Sequence, residues 1–300
     1  MKRALVYGVL ASFFFAFTFV FNRSMNLSGG DWMWSAALRF LFMLPMLALI
    51  LRRGGRMQAV LQAVRRDPKN WLLWSTVGFG LFYAPLSWGS VYGESWFVAA
   101  CWQVTIVAGV LLTPLFGQKI PLKNLGMSCI ILLGVLLLQV RPGDKQGAEQ
   151  TVAALLLILL AAFCYPLGNR KMMEHCPQEL STVQRVFGMT VCSLPFWLIL
   201  SLLALLRSGL PPVGQVAQSG AVALFSGCVA TILFFRATDL CRGDPRRLAL
   251  IEATQSGEVV FTLLGGVLLL GDPLPGAAGL GGILLIVGGM VGSSLVSAKR

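Results

Sequence analysis

Apolar runs of about twenty residues recur along the whole chain, and each is long enough to cross a hydrocarbon core of about 30 Å. They fall at 4–24, 32–51, 71–92, 95–116, 122–140, 150–168, 181–206, 216–239, 246–270 and 276–297. A water-soluble domain carries roughly 25% charged residues. This chain of 300 residues is 56% hydrophobic and 12% charged, too few polar side chains to cover a globule. The expectation is an all-α membrane protein with ten transmembrane helices. Turn chemistry falls between the runs, at Gly29-Gly30, Gly54-Gly55, Asp67-Pro68, Pro142-Gly143, Pro211-Pro212, Asp244-Pro245 and Asp272-Pro273. Pro45, Pro85, Pro166 and Pro195 lie inside runs, where membrane helices tolerate kinks. The first run is longer than a signal-peptide core and lacks a cleavage pattern, so it reads as a retained helix.

The formal charge of +12 does not point to nucleic acid, which binds basic residues clustered on a solvated face. Here most of them sit in short loops. Seventeen Lys and Arg fall on the side of both termini and four on the other, which places both termini in the cytoplasm and the protein in a bacterial-type inner membrane. In the longest loop, Met57, Val60, Leu61 and Val64 recur at helical spacing among Arg52, Arg53, Arg56, Arg65, Arg66 and Lys69. That pattern predicts a basic amphipathic helix on the anionic leaflet. The seven cysteines form no CxxC pair, so neither a disulfide framework, a metal site nor a cofactor is expected. His175, the only histidine, falls in a polar loop.

The chain repeats itself. Asn22-Arg23-Ser24-Met25 ends the first run, and Asn169-Arg170-Lys171-Met172 ends the sixth. Arg39 follows Arg23 by sixteen residues, and Arg185 follows Arg170 by fifteen. Gln103 matches Gln255, and Gly117-Gln118-Lys119-Ile120-Pro121 matches Gly271-Asp272-Pro273-Leu274-Pro275. Two halves of five helices each must enter the membrane in opposite senses. The expected architecture is therefore two inverted five-helix repeats, 1–141 and 150–300, joined by a periplasmic linker at 142–149, with the site between them near the midplane.

On these residues the chain resembles the drug/metabolite transporter superfamily. Trp74-Ser75-Thr76-Val77-Gly78-Phe79-Gly80, Gly168-Asn169-Arg170-Lys171-Met172-Met173-Glu174 and Glu252-Ala253-Thr254-Gln255-Ser256-Gly257-Glu258 are similar to its multidrug resistance efflux transporter branch. The resemblance implies export of small organic compounds and no enzymatic activity. The small four-helix exporters of the superfamily carry a coupling glutamate in their first helix. Here that region reads Phe13-Phe14-Phe15, so their coupling does not transfer.

An ionised side chain within the bilayer costs about 2.5–3.5 kcal/mol and usually pairs, lines water or works. Glu258 lies about 18 Å along its run. Glu252, Gln255 and Glu258 share an arc of about 120°, a stripe that should face a cavity or a partner helix. Glu258 binds substrate or a proton, or else pairs permanently with an arginine; Glu252 lies nearer the cytoplasmic end. Gln103 sits beside Trp102, whose indole could stack on an organic cation. Arg39 and Arg185 stay charged and serve as gate contacts, as structural groups or as an attraction for an anion. Asn22 and Asn169 cap neighbouring backbone or line the cavity. The functional expectation is an alternating-access exporter of small cationic or amphiphilic compounds, open to proton coupling, with the lipid bilayer and a small molecule as its partners. The alternatives are a transporter of a zwitterionic or anionic metabolite or lipid-linked headgroup and, with no HExxH, G-x-S-x-G or phosphate loop to support it, a membrane enzyme.

Overall fold

The computed structural model describes residues 2–52, 56–117, 119–120, 122–138, 145–241, 251 and 253–297. Among these there is no strand; every element is helical. Five helices are long and apolar enough to cross a membrane: Lys2–Leu27, Trp32–Leu51, Glu149–His175, Val213–Thr238 and Ala277–Val296. A sixth forms if Thr182–Cys192 and Leu194–Ser208 are one span bent by 46°. Pro195 explains that bend, since its ring has no N–H for the preceding turn. Shorter apolar helices at Ser95–Leu111, Leu125–Leu138 and Thr254–Leu270 pack among them. Leu198, Ile199, Leu202 and Leu206 on one helix and Leu132, Leu133 and Leu136 on another are exposed. An apolar exterior of that extent belongs in lipid.

Several helices run further than the apolar pattern indicated. The first continues to Leu27, so Asn22 lies inside it rather than at its end. The sixth run is part of a helix from Lys145 to His175. It takes in Asn169, His175 and the last residues of the stretch read as a linker. Hydropathy marks where lipid ends, not where backbone hydrogen bonding ends, and polar end turns stay helical in water.

Others are irregular inside. The third run holds a π-helical turn at Thr76–Gly80 and the eighth another at Ala223–Ala230. The fourth breaks at Gln103, between Ser95–Trp102 and Val104–Leu111. The ninth contains a 3-10 turn at Thr254–Ser256, centred on Gln255. Such interruptions inside a helix often mark functional sites.

Packing relies on small residues, as expected where lipid removes the hydrophobic drive between helices. Gly78 and Gly168 bring the third and sixth runs into backbone contact. The fifth and tenth meet through Gly134 and Gly282, while Gly289 lies on Met127 and Ile131. Gly134 follows Pro121 by thirteen residues and Gly288 follows Pro275 by thirteen, yet a Cβ at Gly288 would meet open space; the adjacent Gly289 makes the contact. A side chain at Gly282 would meet the Gly134 carbonyl and Leu138, whereas one at Gly281 would meet open space. Gly282→Val is therefore expected to cost about 1–3 kcal/mol through overpacking and Gly281→Val close to nothing, read as unfolding midpoints in detergent. Equal midpoints would break this account of the interface.

The loop helix forms at Arg56–Arg66. Val60 is buried and Met57 and Val64 half-buried against the protein, while Leu61, Arg56, Arg65 and Arg66 are exposed. Gly188 leaves room for Val60 and Trp71, and Gln184 Nε2 donates to the Arg56 carbonyl at 2.8 Å.

Candidate functional site

A cavity of about 750 Å³ runs through the centre of the helices, a size that suits a small organic molecule. Its lining begins at mid-depth with Thr18, Arg39 and Glu258 and reaches the C-terminal ends of the fourth, sixth and tenth runs at Thr113, Arg170 and Ser294. Exposed Lys119 also borders it. Beyond its other end the helices are tied to one another. There buried Asp272 accepts from Ser95 N at 3.0 Å and Ser95 Oγ at 2.6 Å and lies 3.6 Å from Arg23 Nε. Trp96 Nε1 donates to the Pro273 carbonyl at 3.1 Å. Arg23, Ser95, Trp96 and Asp272 are not among the residues that line the cavity.

The two interrupted helices bring their glutamines to it. The break at Gln103 frees backbone groups of the preceding turn, and Gln103 Nε2 donates to the Ala99 carbonyl at 3.1 Å. Its side chain also hydrogen-bonds Glu258. Glu258 sits in the first turn of the helix Gly257–Gly265, just past the 3-10 turn. The positive end of that helix dipole faces the acid. Glu258 is 8% and Gln103 2% exposed, so both are held by protein rather than by water.

Arg39 comes from the second run, 8% exposed. Its two terminal nitrogens donate to Thr18 Oγ1 at 3.0 Å and Ser226 Oγ at 3.2 Å, and its guanidinium lies 4.2 Å from the Tyr83 ring centroid. Among the described residues no ion pair joins it to Glu258. Arg185 lines the same cavity, half-buried. Arg170 donates to the Gly109 carbonyl at 2.7 Å. Trp102 packs against Phe82 at 5.0 Å and Tyr165 at 5.5 Å between ring centroids, forming an aromatic wall.

Of the residues singled out in the sequence, Glu258, Gln255, Gln103, Trp102, Arg39, Arg185 and Asn169 all line this one cavity. Asn169 also donates to the Tyr165 carbonyl of its own helix at 2.8 Å. Asn22 is elsewhere: its amide reaches Tyr83 Oη at 3.3 Å and Ser87 at 3.5 Å, tying the first and third runs together without capping a helix. Glu252 lies outside the described residues. Trp96, near Trp102 in sequence, belongs to the sealed end. Sequence reasoning missed Thr18, Ser226, Phe82, Tyr165 and Lys119. The isolated hydroxyls at 18 and 226 inside apolar runs were the available signal. All seven cysteines are free thiols, and among the described residues no His/Cys/Asp/Glu group could hold a metal.

Residues 2–299 match the family model described as "Putative multidrug resistance efflux transporter". A relative from Bacillus subtilis (strain 168), "Uncharacterized protein YjlA", is 47% identical over 311 aligned residues, covering 99% of this chain and 96% of that protein. A second, from Shouchella clausii, the "Uncharacterized 42.1 kDa protein in intracellular alkaline protease 3'region", is 44% identical over 268 residues, covering 86% and 70%. A solved structure described as "Crystal structure of protein" shares the fold, with a TM-score of 0.64 at 17% identity over 99% of this chain and 97% of the other. Members of the matched family are transporters rather than enzymes, in keeping with several apolar spans and an internal cavity lined by polar and aromatic side chains. This chain belongs to the multidrug resistance efflux transporter family of the drug/metabolite transporter superfamily, and is a multi-pass protein of the bacterial-type plasma membrane.

Proposed function

We propose that the chain is an alternating-access exporter in which a small organic compound enters the cavity from the cytoplasm and leaves after the sealed end opens. In this reading there are ten spans with both termini cytoplasmic, and 1–141 and 150–300 are inverted halves. The pattern of packing supports it. The first run packs on the eighth and the third on the sixth; the second packs on the seventh and the fifth on the tenth. Exchanging the two halves leaves that pattern unchanged. The π-turns in the third and eighth runs and the breaks at Gln103 and Gln255 recur at matched places in the same way. Interrupted helices around a midplane site are what rocking transporters use.

The observation that carries the proposal is the cavity itself, whose described lining stops short of the Arg23, Ser95 and Asp272 contacts; in this reading it opens to the cytoplasm and those contacts close the other end. Glu258 is its ionisable centre, exchanging a proton for substrate, with Gln103 and Gln255 beside it. Trp102 and Tyr165 provide the surface for an apolar body.

Single cysteines introduced into a cysteine-free background test the reading. Thr113→Cys should react with a membrane-impermeant maleimide from the cytoplasmic side, and Val98→Cys, buried one turn beyond Ser95, should be protected at rest and labelled from outside during turnover. Simultaneous labelling of both from their own sides at rest would describe a channel and end this proposal.

A further inference from the structure

Two buried donors in the cavity have no acceptor. Arg39 Nε and Gln255 Nε2 are shut off from solvent with no hydrogen-bond partner, and both residues line the cavity. A buried donor left unmade is costly, more so when charged, and here both orphans belong to residues that line the cavity. Both are N–H groups, so the missing partner is an acceptor.

The charge of Arg39 points the same way. Its terminal nitrogens meet only neutral hydroxyls, on Thr18 and Ser226, and its flat face meets the Tyr83 ring. Arg185, Arg170 and Lys119 add three more cations to the lining, and Glu258 is the one acid among its described residues. Lys119 and Arg170, at the mouth, follow from the distribution of basic residues by side. Arg39, at depth, does not. A simple cation would find one attractive group, Glu258, and a field opposed to it elsewhere. A simple anion would meet Glu258 as a repulsive neighbour.

We propose that the transported compound is a zwitterion of amino-acid type, with a carboxylate, an ammonium and an aromatic or apolar body. Its carboxylate is held by Arg39 and Gln255 and its ammonium by Glu258. Its body lies against Trp102, Phe82 and Tyr165. This rests on the reading that the cavity is the transport site.

Counterflow into liposomes with three probes of matched body tests it: phenylalanine, 3-phenylpropionate and phenylethyltrimethylammonium. Phenylalanine should exchange at least about tenfold faster than the other two. Arg39→Lys keeps the charge but removes Nε, and should slow phenylalanine about tenfold or more, the scale of a lost charge-assisted hydrogen bond. Gln255→Glu, at a half-buried position, should do the same in folded protein by repelling the carboxylate while sparing or raising exchange of the cation. Exchange of the cation alone, unaffected by either variant, would overturn the zwitterion and leave the transport reading standing. No exchange of any probe by folded protein overturns the zwitterion as well. In that case the cysteine labelling above decides whether alternating access falls with it.

Discussion

Replacing Glu258 by glutamine should abolish pH-driven transport in a protein that still folds. The substitution nearly keeps the volume and keeps a hydrogen-bonding partner for Gln103, so the packing around this buried position has little reason to change. What disappears is the one carboxylate in the described lining. Arg39 and Arg185 stay charged throughout, and the hydroxyls of Thr18 and Ser226 do not titrate. In the proposed exchange, a carboxylate that holds either a proton or the ammonium of the substrate makes the two ligands compete, and competition at one site is all that exchange requires. A proton exchanged for a zwitterion moves one net charge per cycle, so an imposed membrane potential should also drive the wild type. E258Q should accumulate substrate at background level under either gradient, with an unfolding midpoint close to wild type. Glu252→Gln should keep most of the activity. Unaltered gradient-driven accumulation by folded E258Q would place the coupling elsewhere.

Sequence alone pointed to much of this site, because charge and amide groups inside apolar runs have few innocent explanations. Glu258, Arg39, Gln103 and Gln255 stand out for that reason, and the internal repeat ties the two glutamines together. Their helical breaks were not legible: neither carries a proline, and the fourth run has no glycine beside Gln103. A membrane helix interrupted by packing looks like a continuous one in hydropathy. The aromatic wall was hidden differently. Phe82 and Tyr165 resemble the many aromatics that face lipid, and only tertiary packing distinguishes them. Asn22 misled because hydropathy placed a helix end where the backbone has none. It serves instead as a polar tie to Tyr83 and Ser87 across two helices.

The sealed end was the least legible feature, since Asp272 reads in sequence as an ordinary turn residue before Pro273. In the structure it is 5% exposed and gathers three groups from two other segments. Ser95 N and Oγ donate to it, Arg23 faces it, and its own N–H donates to the Gly266 carbonyl at 3.0 Å. None of the contacts from Ser95 and Arg23 can survive if this end opens, so they stabilise the closed state only. Each hydrogen bond to a charged group contributes about 1.5–3 kcal/mol, reduced for Arg23 because its side chain is 21% exposed and partly screened by water. Asp272→Ala should therefore shift the equilibrium toward the proposed outward-open form by about 100-fold or more. Asp272→Asn should fall between, because an amide oxygen can still accept from Ser95 but no longer balances Arg23. Labelling of Gln103→Cys by an impermeant reagent added from outside reads this directly. Its rate should rise in the order wild type, Asn, Ala, and labelling from the cytoplasmic side should fall in the same order. Equal rates in all three folded proteins would mean that Asp272 does not hold this end shut.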